Sequence, residues 1–141
     1  MADKLTREQR SWNMSRIRAR DTEPERMVRS LLRSMGYRVE VYPPLLPGKP
    51  DMVLPRRRTA IFVHGCFWHR HGQCRYAYQP KSNRAFWNRK FMANVARDGK
   101  VLAELRTLGW RTIVVWECQV ERLGRLKRRL RKLLSAKAAS P

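Results

Sequence analysis

The stretch Thr59–Cys74, TAIFVHGCFWHRHGQC, governs the architecture and concentrates the chemistry of the chain. It opens on four consecutive apolar residues, Ala60, Ile61, Phe62 and Val63, the pattern of a buried strand. All three histidines (His64, His69, His71) and two of the three cysteines (Cys66, Cys74) follow directly, with Phe67 and Trp68 between them. Structural strands rarely end this way. The spacing Cys66-x4-His71-x2-Cys74 can fold back on one ion, with Cys118 available downstream as a fourth ligand. Three thiolates and one imidazole make a closed tetrahedral zinc site of the structural type. Buried free cysteines are the plainer alternative. His64 and His69 are left for other work.

At 141 residues the chain is one domain's worth and can bury a core without disulfides. Thirty-two basic against eleven acidic residues give a formal charge of +21. That excess goes far beyond what solubility needs and points to a polyanion, nucleic acid before membrane. No segment is long and apolar enough to span a bilayer, and no apolar run follows the N-terminal charges as in a signal peptide. The expectation is an intracellular, reducing setting, where three cysteines suggest metal rather than disulfides. Acid is scarce, so Glu25, Asp51 and Asp98 need a reason if they face phosphates. A bound divalent cation would be one.

Residues 1–22 form a basic arm with Lys4, Arg7, Arg10, Arg16, Arg18 and Arg20 and two apolar anchors, Trp12 and Met14. It reads either as disordered or as folding against DNA with Met14 or Trp12 as a wedge. A domain spans 23–135 and a loose tail 136–141. Its first helix is capped by Asp21 or Thr22, has Pro24 and Glu25 in the first turn, and buries Met27, Val28, Leu31, Leu32 and Met35 before Gly36. Tyr37–Tyr42 alternates as a strand. After the stiff turn PPLLPGKP, Asp51 begins a second strand, Arg56–Arg58 form a hairpin tip, and Thr59–His64 is the third. Residues 65–82 make the Cys/His loop. Ser82 or Asn83 can cap a helix to Leu108 with Phe91, Val95, Leu102 and Leu105 inward, Gly99 as a possible kink and Gly109 as stop. Trp110–Trp116 reads as a fully buried strand. A last helix over about 119–134 puts Leu123, Leu126, Leu130 and Leu133 on one face and basic residues on the others. The order α-β-β-β-α-β-α predicts an α/β sandwich with a mixed sheet.

PGKPD at 47–51, followed by a hairpin and a buried strand, resembles the first half of the PD-(D/E)xK nuclease core. Its second half is missing, because Phe62-Val63-His64 stands where an acid-x-Lys would be. With HGCFWH, the downstream WEC, Asn13-Met14 and the D-T-x-x-E of residues 21–25, the chain resembles the very-short-patch-repair mismatch endonucleases from about residue 10 to 120. The resemblance implies a restriction-endonuclease-like three-layer sandwich with a structural Zn²⁺ loop. The implied activity is a Mg²⁺-dependent nick 5′ to the thymine of a T:G mismatch, left by deamination of 5-methylcytosine. It further implies double-stranded DNA as substrate, mismatch-repair proteins as partners, a monomer, and a cytoplasmic, nucleoid-associated location.

Carried over by position, Asp51 would be the acidic Mg²⁺ ligand and the Val63 carbonyl the second. His69 would be the general base in place of the missing lysine, and Glu25 would orient His69 or a metal-bound water. His64 and Asp98 would lie on the leaving-group side. Phe67, Trp68 and Trp87 would enter the base stack from the major groove and Met14 from the minor groove. Asn94, four residues before Asp98 on one helix, would share its face toward DNA. Cys66, His71, Cys74 and Cys118 would hold the zinc. The chain departs from the family in spacing Cys74 three residues after His71, which enlarges the loop without removing a ligand. Two other classes compete: a restriction- or homing-type nicking nuclease of the same fold, and a zinc-stabilised DNA-binding module without chemistry.

Overall fold

The computed structural model describes residues 21–135; Trp12, Met14 and the rest of 1–20, and the tail at 136–141, lie outside the described residues. Helix α1 (Glu23–Ser34) starts at Thr22, whose hydroxyl accepts from the Glu25 amide at 3.4 Å, and has Pro24 and two glutamates in its first turn. The cap satisfies an orphan donor and the carboxylates favour the positive end of the helix dipole.

The strand expected over Tyr37–Tyr42 contracts to β1 (Glu40–Val41), and Tyr42, just beyond it, turns into the left-handed region at φ +48°. Strands β2 (Met52–Leu54) and β3 (Thr59–His64) follow, joined through a 3-10 turn at Pro55–Arg57 and Arg58 at φ +45°. Helix α2 (Arg84–Thr107) then crosses to β4 (Arg111–Trp116). The sheet order is β1-β2-β3-β4, with the first two pairings antiparallel and β3–β4 parallel. A parallel neighbour needs a long crossover, and α2 supplies it.

The alternation of β2, β3 and β4 divides the core. Met52, Leu54, Ile61, Ile113 and Val115 pack with Val28 and Leu32 of α1 and with Leu126, Leu130 and Leu134. On the opposite face Val53, Ala60 and Phe62 meet Val101, Leu102 and Leu105 of α2. Helices therefore cover both faces of a mixed sheet. No helix among the described residues is long and apolar enough to cross a membrane.

Four further expectations need correction. Val95 is 48% exposed rather than inward. The buried face of α2 is centred on Trp87, Phe91, Asn94 and Leu105, and Val95 falls about 80° round from Trp87 at about 100° per residue. Asn83 stands at the start of α2 without a side-chain capping bond. Strand β4 is an edge strand, so it is half-buried rather than fully buried, and Arg129 covers its edge by donating to the Val114 carbonyl at 3.2 Å. The single last helix is two, α3 (Glu117–Val120) and α4 (Leu123–Ser135), with Leu123 exposed and Leu134 buried. Val120 and Leu126 both enter one core cluster. In a continuous helix they would lie about 120° apart, so a break lets both bury.

Candidate active site and metal centre

Asp51 sits just before β2, placed by a turn that presses on α2. Gly48 has φ +72°, and a Cβ there would come within 2.2 Å of Val101. Only glycine allows both the conformation and the approach. The Asp51 Oδ2 accepts from the Val63 amide at 2.6 Å, which ties the carboxylate to the neighbouring strand. A cleft of about 550 Å³ opens here, lined by Asp51, Val63, His64, His69, Glu25, Asn94 and Asp98 among others.

The imidazoles of His64 and His69 stack at 3.9 Å between centroids, with planes 7° apart. The Nδ1 of His69 lies 2.6 Å from the Oδ2 of Asp98 on α2. A proton on Nδ1 donated to that carboxylate leaves Nε2 as the nitrogen able to accept one. Burial, and secondarily His69, holds the His64 pKa down at about 4. His64 is therefore neutral near pH 7. Glu25 is 7% exposed, and its Oε2 accepts from the Tyr42 hydroxyl at 2.8 Å and the Asp21 amide at 2.9 Å.

Beyond this cleft the loop folds back on β4 and α3. One donor atom each from Cys66, His71, Cys74 and Cys118 lies within 4.8 Å of the other three. Sulfurs of a tetrahedral zinc site stand about 3.8 Å apart, so the cluster fits one ion with modest contraction. The His71 ring stacks on Trp116 at 4.3 Å, which fixes its orientation. Burial pushes the Cys66 thiol up to about 12, so a cation among these sulfurs would offset the cost of its thiolate. His64, His69 and Asp98 form a second group close enough to share an ion.

Trp68, Trp87 and Phe91 are buried together, with Phe67 and Phe86 partly buried against them. Phe67 also meets Tyr78, which is 62% exposed, at 5.0 Å. In this structure Phe67 and Tyr78 form the open side of an aromatic cluster, while Trp68 and Trp87 are its interior. The buried Asn94 donates to the Trp68 carbonyl at 3.1 Å and so holds the loop to α2. Met14 lies outside the described residues.

Several residues escaped the sequence reading. Glu117, beside Cys118 in the WEC run, lines the cleft and accepts from the Cys66 amide at 3.2 Å. Lys49 and Arg97 bring positive charge to the cleft. Tyr42 carried no sequence signal, because a tyrosine at a strand end is unremarkable.

Residues 2–75 match the family model described as DNA mismatch endonuclease Vsr. The type II nicking enzyme V.XorIIP of Xanthomonas oryzae pv. oryzae is 49% identical over 134 residues, which are 95% of this chain and 98% of its own. V.NmeAIP of Neisseria meningitidis, also named a type II nicking enzyme, is 40% identical over 95% of each chain. DNA mismatch endonuclease Vsr of Escherichia coli is 43% identical over 118 residues, 84% of this chain and 75% of its own.

Proposed function

The chain belongs to the DNA mismatch endonuclease Vsr family, and we propose that it nicks one strand 5′ to the thymine of a T:G mismatch by Mg²⁺-dependent hydrolysis. That it is a DNA endonuclease of the mismatch or nicking kind follows from the family. The observation that carries the finer reading is the meeting of Asp51, Glu25 and the His69–Asp98 pair in one cleft of a +21 protein. The fold that goes with it is restriction-endonuclease-like.

The donor set fits the ions. A carboxylate and a main-chain carbonyl, from Asp51 and Val63, are the hard oxygens Mg²⁺ takes, and three thiols with an imidazole are the ligands of structural zinc. When bound, Mg²⁺ would supply positive charge against the phosphate and acidify water. The residues themselves do the rest. His69 accepts the water's proton at Nε2, and Asp98 stabilises the imidazolium that results. Glu25, fixed through Oε2, orients the water or His69. Lys49 and Arg97 at the cleft favour an anionic backbone. His64, kept neutral, is assigned to the leaving-group side, whereas Asp98 is bonded to His69 and acts with it.

The DNA reading assigns base-stack entry to Phe67, Trp68 and Trp87, with Met14 in the opposite groove. For the buried Trp68 and Trp87 this requires the cluster to open on DNA. Unstacking costs least at a mismatch. The protein would act as a monomer at the nucleoid, alongside mismatch-repair proteins. A restriction- or homing-type nicking endonuclease of the same fold is the second reading, favoured by relatives named type II nicking enzymes. Nicking of a T:G duplex and its T:A twin, with and without Mg²⁺, tests both. The proposal expects a cut only at T:G and only with the ion; equal cutting of both duplexes contradicts it.

A further inference from the structure

Tyr42 joins two of the acids of the cleft, Glu25 and Asp51. Its backbone amide donates to the Asp51 carbonyl at 3.3 Å, and its hydroxyl donates to the Glu25 Oε2 at 2.8 Å. The same hydroxyl accepts from the Asp21 amide at 2.6 Å, and that amide also donates to Glu25 Oε2 at 2.9 Å. Asp21 is held in turn by Arg29 at 2.8 Å. The backbone at Tyr42 is at φ +48°, a conformation an aromatic residue rarely adopts. It lies just past β1, and the side chain reaches Glu25 in the first turn of α1. Such outliers persist where the surroundings over-determine them, and often beside functional groups.

We propose that Tyr42 is a positioning residue, fixing the Glu25 carboxylate relative to Asp51 and tying it to Asp21, where the N-terminal arm joins the domain. This rests on reading Glu25 as part of the site. Among the described residues the side-chain bonds to Glu25 fall on Oε2, so the clamp orients the carboxylate. Among the described residues, loss of the hydroxyl leaves a nearly buried carboxylate with only the Asp21 amide as a side-chain partner.

The test is a double-mutant cycle of Tyr42→Phe and Glu25→Gln, with single-turnover nicking, DNA affinity and melting temperature measured for each protein. Tyr42→Phe should slow nicking roughly tenfold or more, as expected for a lost bond to a charged group. Its affinity should match wild type, and its melting temperature should fall only by what one lost hydrogen bond costs. The double variant should be no slower than Glu25→Gln, because Tyr42 acts through that carboxylate. A crystal structure of Tyr42→Phe should show Glu25 displaced. Wild-type nicking by Tyr42→Phe, multiplicative losses in the double variant, or an unmoved Glu25 overturns the proposal. Wild-type nicking by Glu25→Gln overturns instead the place of Glu25 in the site, and the role of Tyr42 with it.

Discussion

His69 is bonded at Nδ1 to Asp98, an arrangement that selects one tautomer and aims the other nitrogen at chemistry. Replacing it with alanine removes the proton acceptor and leaves Asp51 and the zinc ligands in place. His69→Ala should lose about 10²- to 10⁴-fold in single-turnover rate while binding DNA as before; a gel shift and a quench assay on one duplex check this. Chemically marked residues made the meeting of Asp51, His64, His69 and Glu25 legible in the sequence: acids are scarce here and the histidines are crowded together. Tyr42 and Glu117 were not legible as site residues. Their roles arise from distances of 2.8 Å and 3.2 Å across the fold, to which local pattern is blind.

The Cys/His loop has little regular structure, and its order must come from what it surrounds. Cys118 starts on α3, far along the chain from Cys66, so an ion would staple the loop to the end of β4. Zinc binding energy would then be folding energy. Cys118→Ser should lose zinc, from near one ion per chain, and melt at clearly lower temperature; a stable metal-free variant in calorimetry and elemental analysis contradicts the site. Leu130 is fully buried between α4 and the sheet, and Leu130→Ala should cost about 2–5 kcal/mol in denaturant unfolding without altering cleavage chemistry. Element types were legible from apolar periodicity, but the inward face of α2 was not. Asn94 lies in the middle of that face and Asp98 beside it, because the helix serves the cleft as well as the core, and an apolar count shifts the face toward Val95. The break before α4 was hidden for a related reason: no proline marks it, and the burial of both Val120 and Leu126 requires it.

With +21 charges on 141 residues, attraction to phosphate is the dominant long-range property of the molecule. Binding should weaken steeply with salt, as released counterions require, for matched and mismatched duplexes alike. Preference for the mismatch should survive at high salt, because the contacts that choose a base are not the ones that hold the backbone. A titration of both duplexes over a salt series checks this; a preference that vanishes with salt goes against it. The central claim is narrower: the cleft around Asp51 cuts the strand. Asp51→Asn keeps an oxygen to accept from the Val63 amide and removes the charge. Single-turnover nicking and gel shift of Asp51→Asn on one T:G duplex should show no cutting, with affinity equal to or tighter than wild type, and cutting at the wild-type rate would contradict the account.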